Sequence, residues 1–201
     1  MESVIQVSYQ IFKRVMDFVL SLFAIIVLSP VLIIIAILVR ATSKGPAIFR
    51  QVRSGKDLKE FEIYKFRTMY TTAPKDTPTH MLDAAKSYIT PLGAFLRKTS
   101  LDELPQLVNI LKGDMSIVGP RPPLPTQYDL IEAREKLGAN ALRPGLTGWA
   151  QINGRDELPI DVKAGFDGEY VRRMSFAFDV KCIVGTVTAV FGAKGVKEGR
   201  Q

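Results

Sequence analysis

The sequence predicts an α+β, helix-rich protein: a small β-hairpin and several short helices, preceded by a membrane helix. Three observations lead there. The run Phe18 to Val39, "FVLSLFAIIVLSPVLIIIAILV", carries no charged residue. Two β-rich segments, "AIFRQVR" (Ala47 to Arg53) and "FEIYKFRTM" (Phe61 to Met69), flank a loop containing Gly55, as a hairpin requires. The remainder breaks into short apolar-periodic stretches punctuated by Thr, Pro and Gly. Residues 1–44 therefore read as a membrane-associated helix and residues 45–201 as one cytoplasmic domain.

The apolar run is long enough to cross a bilayer, about 33 Å as a helix. It is too long for the apolar segment of a signal peptide, and no small-residue cleavage site follows. Ser29-Pro30 lies at its middle, where proline removes a helical donor and frees the Ile26 carbonyl; Ser29 is placed to compensate. Lys13 and Arg14 precede the run and Arg40 and Lys44 follow it, so the positive-inside rule puts both flanks on one side. A re-entrant helix broken at Ser29 and Pro30 satisfies both signals, with a simple span as the alternative. Asp17 reads as a local ion pair with Arg14.

Within the domain, Thr71 to His80, "TTAPKDTPTH", has no apolar periodicity and reads as a loop. Thr90-Pro91 caps and opens "PLGAFLRK". Leu104, Leu107, Val108 and Leu111 line one face of a helix that stops at Lys112-Gly113. Tyr128 to Leu137 reads as a helix ended by Gly138, and "WAQI" (Trp149 to Ile152) as a short strand. Phe176 to Phe191 carries an apolar face through Val180, Ile183, Val184, Val187 and Phe191, suited to a core or to a bilayer surface.

Composition narrows the chemistry. One cysteine, Cys182, excludes an intramolecular disulfide, and one histidine, His80, argues against a histidine triad or a His/Cys zinc site. Carboxylates remain as the acid–base or nucleophilic groups. The net charge of +7 suits an anionic surface or substrate. Cations interleave with acids instead of forming a basic helix or a stacking platform, so nucleic acid is not the expected partner. Nothing in the sequence sets an oligomeric state.

The tetrapeptide "DELP" occurs twice, at Asp102 to Pro105 and at Asp156 to Pro159. For the first, a capping role competes with a catalytic one. Ser100 and Glu103 match a capping box, but Pro105 favours Asp102 as the N-cap, with both carboxylates at the positive end of a helix. The surroundings favour chemistry: Arg97 and Lys98 precede the pair, and Arg121 sits in "GPRPP", Gly119 to Pro123. Lys65, Arg67 and Arg155 add cations. Adjacent acids beside several cations suit a magnesium-bound diphosphate, Asp102 and Glu103 holding the metal and the cations holding phosphate. The second pair follows the Asn153-Gly154 turn and reads as a loop or cap feature.

"SLDELPQLVNILKGDMSIVGPRP" (Ser100 to Pro122) resembles the bacterial sugar transferases, the monotopic phosphoglycosyl transferases. "KRVMDF" (Lys13 to Phe18), Ser29-Pro30, "YKFRTM" (Tyr64 to Met69) and "RPGLTGWAQINGR" (Arg143 to Arg155) extend the resemblance along nearly the whole chain, as a minimal catalytic core. Arg53-Ser54-Gly55 departs from the Arg-Pro-Gly of many relatives, and the loop through His80 is unusually rich in threonine. The resemblance implies transfer of a sugar phosphate from a UDP-sugar to polyprenyl (undecaprenyl) phosphate with release of UMP, at the cytoplasmic face of the bacterial inner membrane. It implies Asp102 as nucleophile, forming a phosphosugar aspartyl intermediate, with Glu103 assisting through magnesium or a proton. The competing expectation is a metal-dependent glycosyltransferase without a covalent intermediate.

Overall fold

A computed structural model describes residues 2–74, 88–154 and 158–191. Helix α1, Glu2–Thr42, is 41 residues long, about 60 Å and so roughly twice the thickness of a hydrocarbon core. Strands β1 (Ile48–Ser54) and β2 (Glu60–Phe66) form the expected antiparallel hairpin, with Ile48 opposite Phe66 and Ser54 opposite Glu60. Helices α2 (Pro91–Lys98) and α3 (Gln106–Lys112) are joined by a 3₁₀ turn, Leu101–Glu103. Strand β3 (Ser116–Val118) pairs in parallel with β4 (Gly145–Thr147), and α4 (Tyr128–Glu135) lies between them in sequence. Helices α5 (Trp149–Ile152), α6 (Ile160–Arg173) and α7 (Phe176–Phe191) complete the described chain.

The break expected at Ser29-Pro30 is absent: α1 runs through Pro30 without interruption. The Ser29 hydroxyl donates to the Ile26 carbonyl at 2.8 Å, satisfying the acceptor that proline leaves without its usual donor. One face of α1 packs on the domain on both sides of the proline. Ala24, Ile25 and Leu28 meet the cluster of Ile63, Leu107, Ile110 and Met115; Leu32, Ile35, Ala36 and Val39 meet Phe66 and Leu96. The opposite face, from Ile11 through Phe23 and Ile33 to Leu38, is exposed and apolar.

Polar side chains fix how α1 docks. Asp17 is buried, accepting from the Ser116 hydroxyl at 2.7 Å and the Ile117 N–H at 3.1 Å, with Lys13 at 3.9 Å. The expected local pair with Arg14 is thus replaced by a tether to β3. Arg14 instead donates to the Ile110 and Leu111 carbonyls at 2.6 and 2.8 Å, capping the end of α3. Arg67 does the same for α1 itself, donating to the carbonyls of Ser43 and Lys44 and to the Ser43 hydroxyl.

The start signal of α2 and the stop signal of α3 hold, but the expected apolar face of α3 is shifted: Leu104 precedes the helix, Val108 is exposed, and Leu107 and Ile110 are the buried apolar residues. Thr90 accepts from the Gly93 N–H at 2.9 Å, and Gly113 ends α3 at φ +94°. "WAQI" is a helical turn instead of a strand. The strand partner of β3 is the "GLT" just before it, and Ile152 N–H closes onto Gly148 O at 3.2 Å. Four apolar residues have no period long enough to separate the two. The Thr71 to His80 loop lies partly outside the described residues, as does His80; its flanks are joined by Tyr70 N–H to Tyr88 O at 2.9 Å.

Replacing Arg67 with Met should leave the partly buried carbonyls at the α1 terminus without their side-chain donor. The unfolding free energy in urea should fall by about 2 kcal/mol, whereas an unchanged midpoint would show that the cap contributes nothing to docking.

Candidate active site

The acid pair sits where three segments meet. The 3₁₀ turn carries Asp102 and Glu103, strand β2 carries Lys65, and the proline-rich strap Gly119 to Pro123 carries Arg121. Glu103 Oε1 accepts from Lys65 Nζ at 2.6 Å and from both terminal nitrogens of Arg121 at 3.3 Å. Asp102, 9% exposed, accepts no hydrogen bond among the described residues, although Lys65, Arg97 and Arg121 all act on its charge.

The local fold differs from the capping geometry expected of this stretch. Ser100 stands in the left-handed region at φ 56° and its hydroxyl caps nothing; Pro105 occupies the N-cap position of α3. Neither carboxylate is spent as a helix cap. Asn109, fully buried, holds the arrangement in register: its amide accepts from Tyr64 N–H at 3.0 Å and donates to Glu62 O at 2.7 Å. That pins α3 to β2 and thereby sets Lys65 against Glu103.

Electrostatics separate the two acids. Burial pushes the Asp102 carboxyl up to about 6, with Glu103 adding to the rise and Lys65, Arg97 and Arg121 opposing it. Burial alone would raise Glu103 too, but Lys65 and Arg121 beside it overcome that and hold it well below the usual carboxylate range. A helix terminus is therefore not what keeps this site ionised; Glu103 is neutralised by side-chain cations and Asp102 is left partly uncompensated. Since the ordinary aspartate value is about 4, ionising Asp102 opposes folding. Stability from this group rises as pH falls through about 6 and levels off below about 4.

Among the cations expected from sequence, Lys65 and Arg121 reach Glu103, and Arg97 acts on Asp102. Arg67 does not join them, because its guanidinium is bound to the end of α1. Arg155 and the second acid pair, Asp156-Glu157, lie outside the described residues. Sequence reasoning missed Asn109 and Arg134. Arg134 is 2% exposed and donates to the Arg121 carbonyl at 2.9 Å. A lone arginine in the last turn of α4 looks like an ordinary helix-end cation, so only its burial could have singled it out.

The model of the bacterial sugar transferase family matches residues 8–193. The chain belongs to the bacterial sugar transferase family. The chain is 43% identical over 187 residues to the UDP-glucose:undecaprenyl-phosphate glucose-1-phosphate transferase of Escherichia coli (strain K12), covering 89% of this chain and 40% of that protein. It is 39% identical over 189 residues to the uncharacterized sugar transferase EpsL of Bacillus subtilis (strain 168), covering 94% of this chain and 91% of the relative. A third relative is the UDP-N-acetylgalactosamine-undecaprenyl-phosphate N-acetylgalactosaminephosphotransferase of Aeromonas hydrophila, 34% identical over 194 residues, with 92% of this chain and 46% of that protein covered. The chain thus spans under half the length of two of these relatives and nearly all of the third.

In the metal-free protein, the Asp102 carboxyl should titrate near pH 6, followed by the carboxyl ¹³C shift of labelled aspartate. Lys65→Met removes a cation that lowers this value, so the midpoint should move upward; an unmoved midpoint would uncouple Lys65 from Asp102.

Proposed function

We propose that this sugar transferase moves a sugar 1-phosphate from a UDP-sugar to a polyprenyl phosphate and releases UMP, through a phosphosugar aspartyl intermediate, an acyl phosphate on Asp102. The observation that carries the proposal is the unequal treatment of two adjacent carboxylates. Glu103 is committed to Lys65 and Arg121, while Asp102 sits buried beside the same cations without a hydrogen bond among the described residues. The names of the Escherichia coli and Aeromonas hydrophila relatives describe the same class of reaction.

In the first step an Asp102 oxygen attacks the sugar-linked phosphorus. An Asp102 O–P bond forms, and the bond from that phosphorus to the bridging oxygen breaks, the electron pair leaving with UMP. In the second, an acceptor phosphate oxygen attacks the same phosphorus, forming the lipid diphosphate and returning Asp102 as a carboxylate. Lys65 and Arg121 stand where they can spread the charge that develops on the departing phosphate. Arg97, whose charge acts on Asp102, helps keep the nucleophile ionised.

Magnesium fits the donor set. Among the described residues no three metal-binding side chains cluster, but magnesium is ordinarily held by one or two carboxylates with substrate phosphate oxygens completing the shell. Asp102 and Glu103 would hold it. When bound, it would supply neutralisation of phosphate charge.

The same proposal places α1 in one leaflet on the cytoplasmic face. The domain abuts α1 on both sides of Pro30, so a perpendicular span would draw α3 and the hairpin into hydrocarbon. The exposed apolar face of α1, with Val180, Ile183, Val184 and Val187 exposed on α7, is suited to lipid. Single cysteines at Ser8 and Thr42, in a background with Cys182→Ser, should both be labelled by an impermeant maleimide from the cytoplasmic side only. Labelling from opposite sides would establish a span.

The chemical test uses purified protein with magnesium, a panel of UDP-sugars including UDP-glucose and UDP-N-acetylgalactosamine, and no acceptor. Peptide mapping should find a phosphosugar adduct on Asp102, lost in Asp102→Asn and retained in Asp156→Asn. With acceptor present, the products should be UMP and a lipid diphosphate sugar, and Arg121→Lys should lower turnover roughly a hundredfold. UDP and a glycoside as products would establish the direct glycosyltransferase instead. Lipid product and UMP without a rapidly quenched adduct would remove the covalent step.

A further inference from the structure

The strap Gly119 to Pro123 contains three prolines, Pro120, Pro122 and Pro123, so most of its backbone has carbonyls and no donors. It is held from several directions. Gly119 N–H donates to Thr147 O at 2.8 Å, and Pro120 O accepts from Gly145 N–H at 2.8 Å. Pro122 O accepts from Arg53 at 3.2 Å, and Pro123 O from Ser54 N–H at 3.0 Å. The carbonyl of Arg121, the residue whose side chain meets Glu103, is held by Arg134 at 2.9 Å.

Arg134 reaches that carbonyl from a buried ion pair. Its Nε and one terminal nitrogen lie 2.8 and 2.7 Å from Asp167 Oδ2, and the two side chains are 2% and 1% exposed. Asp167 belongs to α6 and Arg134 to α4, so the pair also joins two helices. Helix joining alone does not call for it, since an apolar pair of similar volume serves such a contact as well or better than two buried charges. A planar guanidinium anchored along one edge can present its remaining amine at a fixed angle, and here that amine holds the Arg121 carbonyl.

We infer that Arg134, oriented by Asp167, is a positioning residue for Arg121: it fixes the strap so that the Arg121 side chain is delivered to Glu103 and to the phosphate of the donor. It touches no substrate itself. The inference rests on the proposed role of Arg121 at the donor phosphate.

The test compares Arg134→Lys, Asp167→Asn and the paired Arg134→Met/Asp167→Leu variant with the wild type in lipid nanodiscs. The paired variant removes both charges at once and avoids leaving one buried alone. Turnover on the best donor of the UDP-sugar panel should fall about tenfold to a hundredfold per folded molecule, since a shift of about 1 Å in a positioned group costs that much. Arg134→Lys should not restore it. In an Arg121→Ala background, adding Arg134→Lys should change turnover by less than about twofold, because both changes remove one effect. Amide exchange should quicken in peptides covering 116–126 and stay unchanged in the β1–β2 hairpin; this readout needs no donor.

Wild-type turnover in folded Arg134→Lys and in the paired variant overturns the inference, as do additive losses with Arg121→Ala. Uniformly faster exchange overturns it as well, because that is the signature of general loosening. Loss of turnover in Arg121→Ala with none in the Arg134 variants removes this inference alone. No loss in Arg121→Ala removes the reading of Arg121 at the donor phosphate, and the inference falls with it.

Discussion

A single carboxylate oxygen, Glu103 Oε1, receives Lys65 from the hairpin and Arg121 from the proline strap. Three segments far apart in sequence converge through that contact, and the arrangement of the site follows from it. Two adjacent buried carboxylates cannot both ionise cheaply unless charge is brought to them. Here the cations make their hydrogen bonds to Glu103. Asp102 feels the same cations only through space, which leaves its affinity for a proton above the ordinary value. One acid organises charge and the other keeps its lone pairs available. This division is one that a nucleophilic carboxylate requires, because a carboxylate already holding two donors is a poor nucleophile.

That convergence depends on how the long helix docks. Arg14 caps α3, Asp17 tethers β3 and Arg67 caps α1. Within "KRVMD", Arg14 and Asp17 are therefore structural joints between the apolar helix and the elements around the acid turn, over and above any positive flank at a membrane. Asn109 adds the last constraint by bonding the β2 backbone on both its donor and acceptor sides. The helix whose outer face is exposed and apolar is thus directly linked to α3, the helix that follows the acid turn. These joints hold the acid turn at a fixed position relative to the exposed apolar face of α1.

Much of this was legible in the sequence. The hairpin, the Thr90 cap and the Gly113 stop each depend on local residue chemistry, and each stands within a residue or two of where that chemistry puts it. The failures share a cause. Ser29 compensating Pro30 was readable, but whether the helix breaks depends on the packing of Ala24 to Val39 against the domain, which is a tertiary matter. Arg67 and Lys65 share a strand pattern, yet Arg67 lies just past the strand and turns to the helix end. "WAQI" was too short to carry a period. Asn109 and Arg134 carry no motif, because their importance comes from burial among distant partners.

The duplicated "DELP" shows how far a tetrapeptide specifies chemistry. Both copies pair an aspartate with a glutamate before Leu-Pro, and in the sequence only their surroundings separate them. What distinguishes the first copy is not in the four residues. Its turn is followed by a helix that Asn109 fastens to the strand carrying Lys65, and it faces a strap whose prolines restrict the backbone around Arg121. Under the proposed chemistry, an acid pair serves as a reaction centre when fixed cations neutralise one member and leave the other unbonded. The neighbouring residues needed for that come from β2, α2 and the segment after β3, and only the fold brings them together.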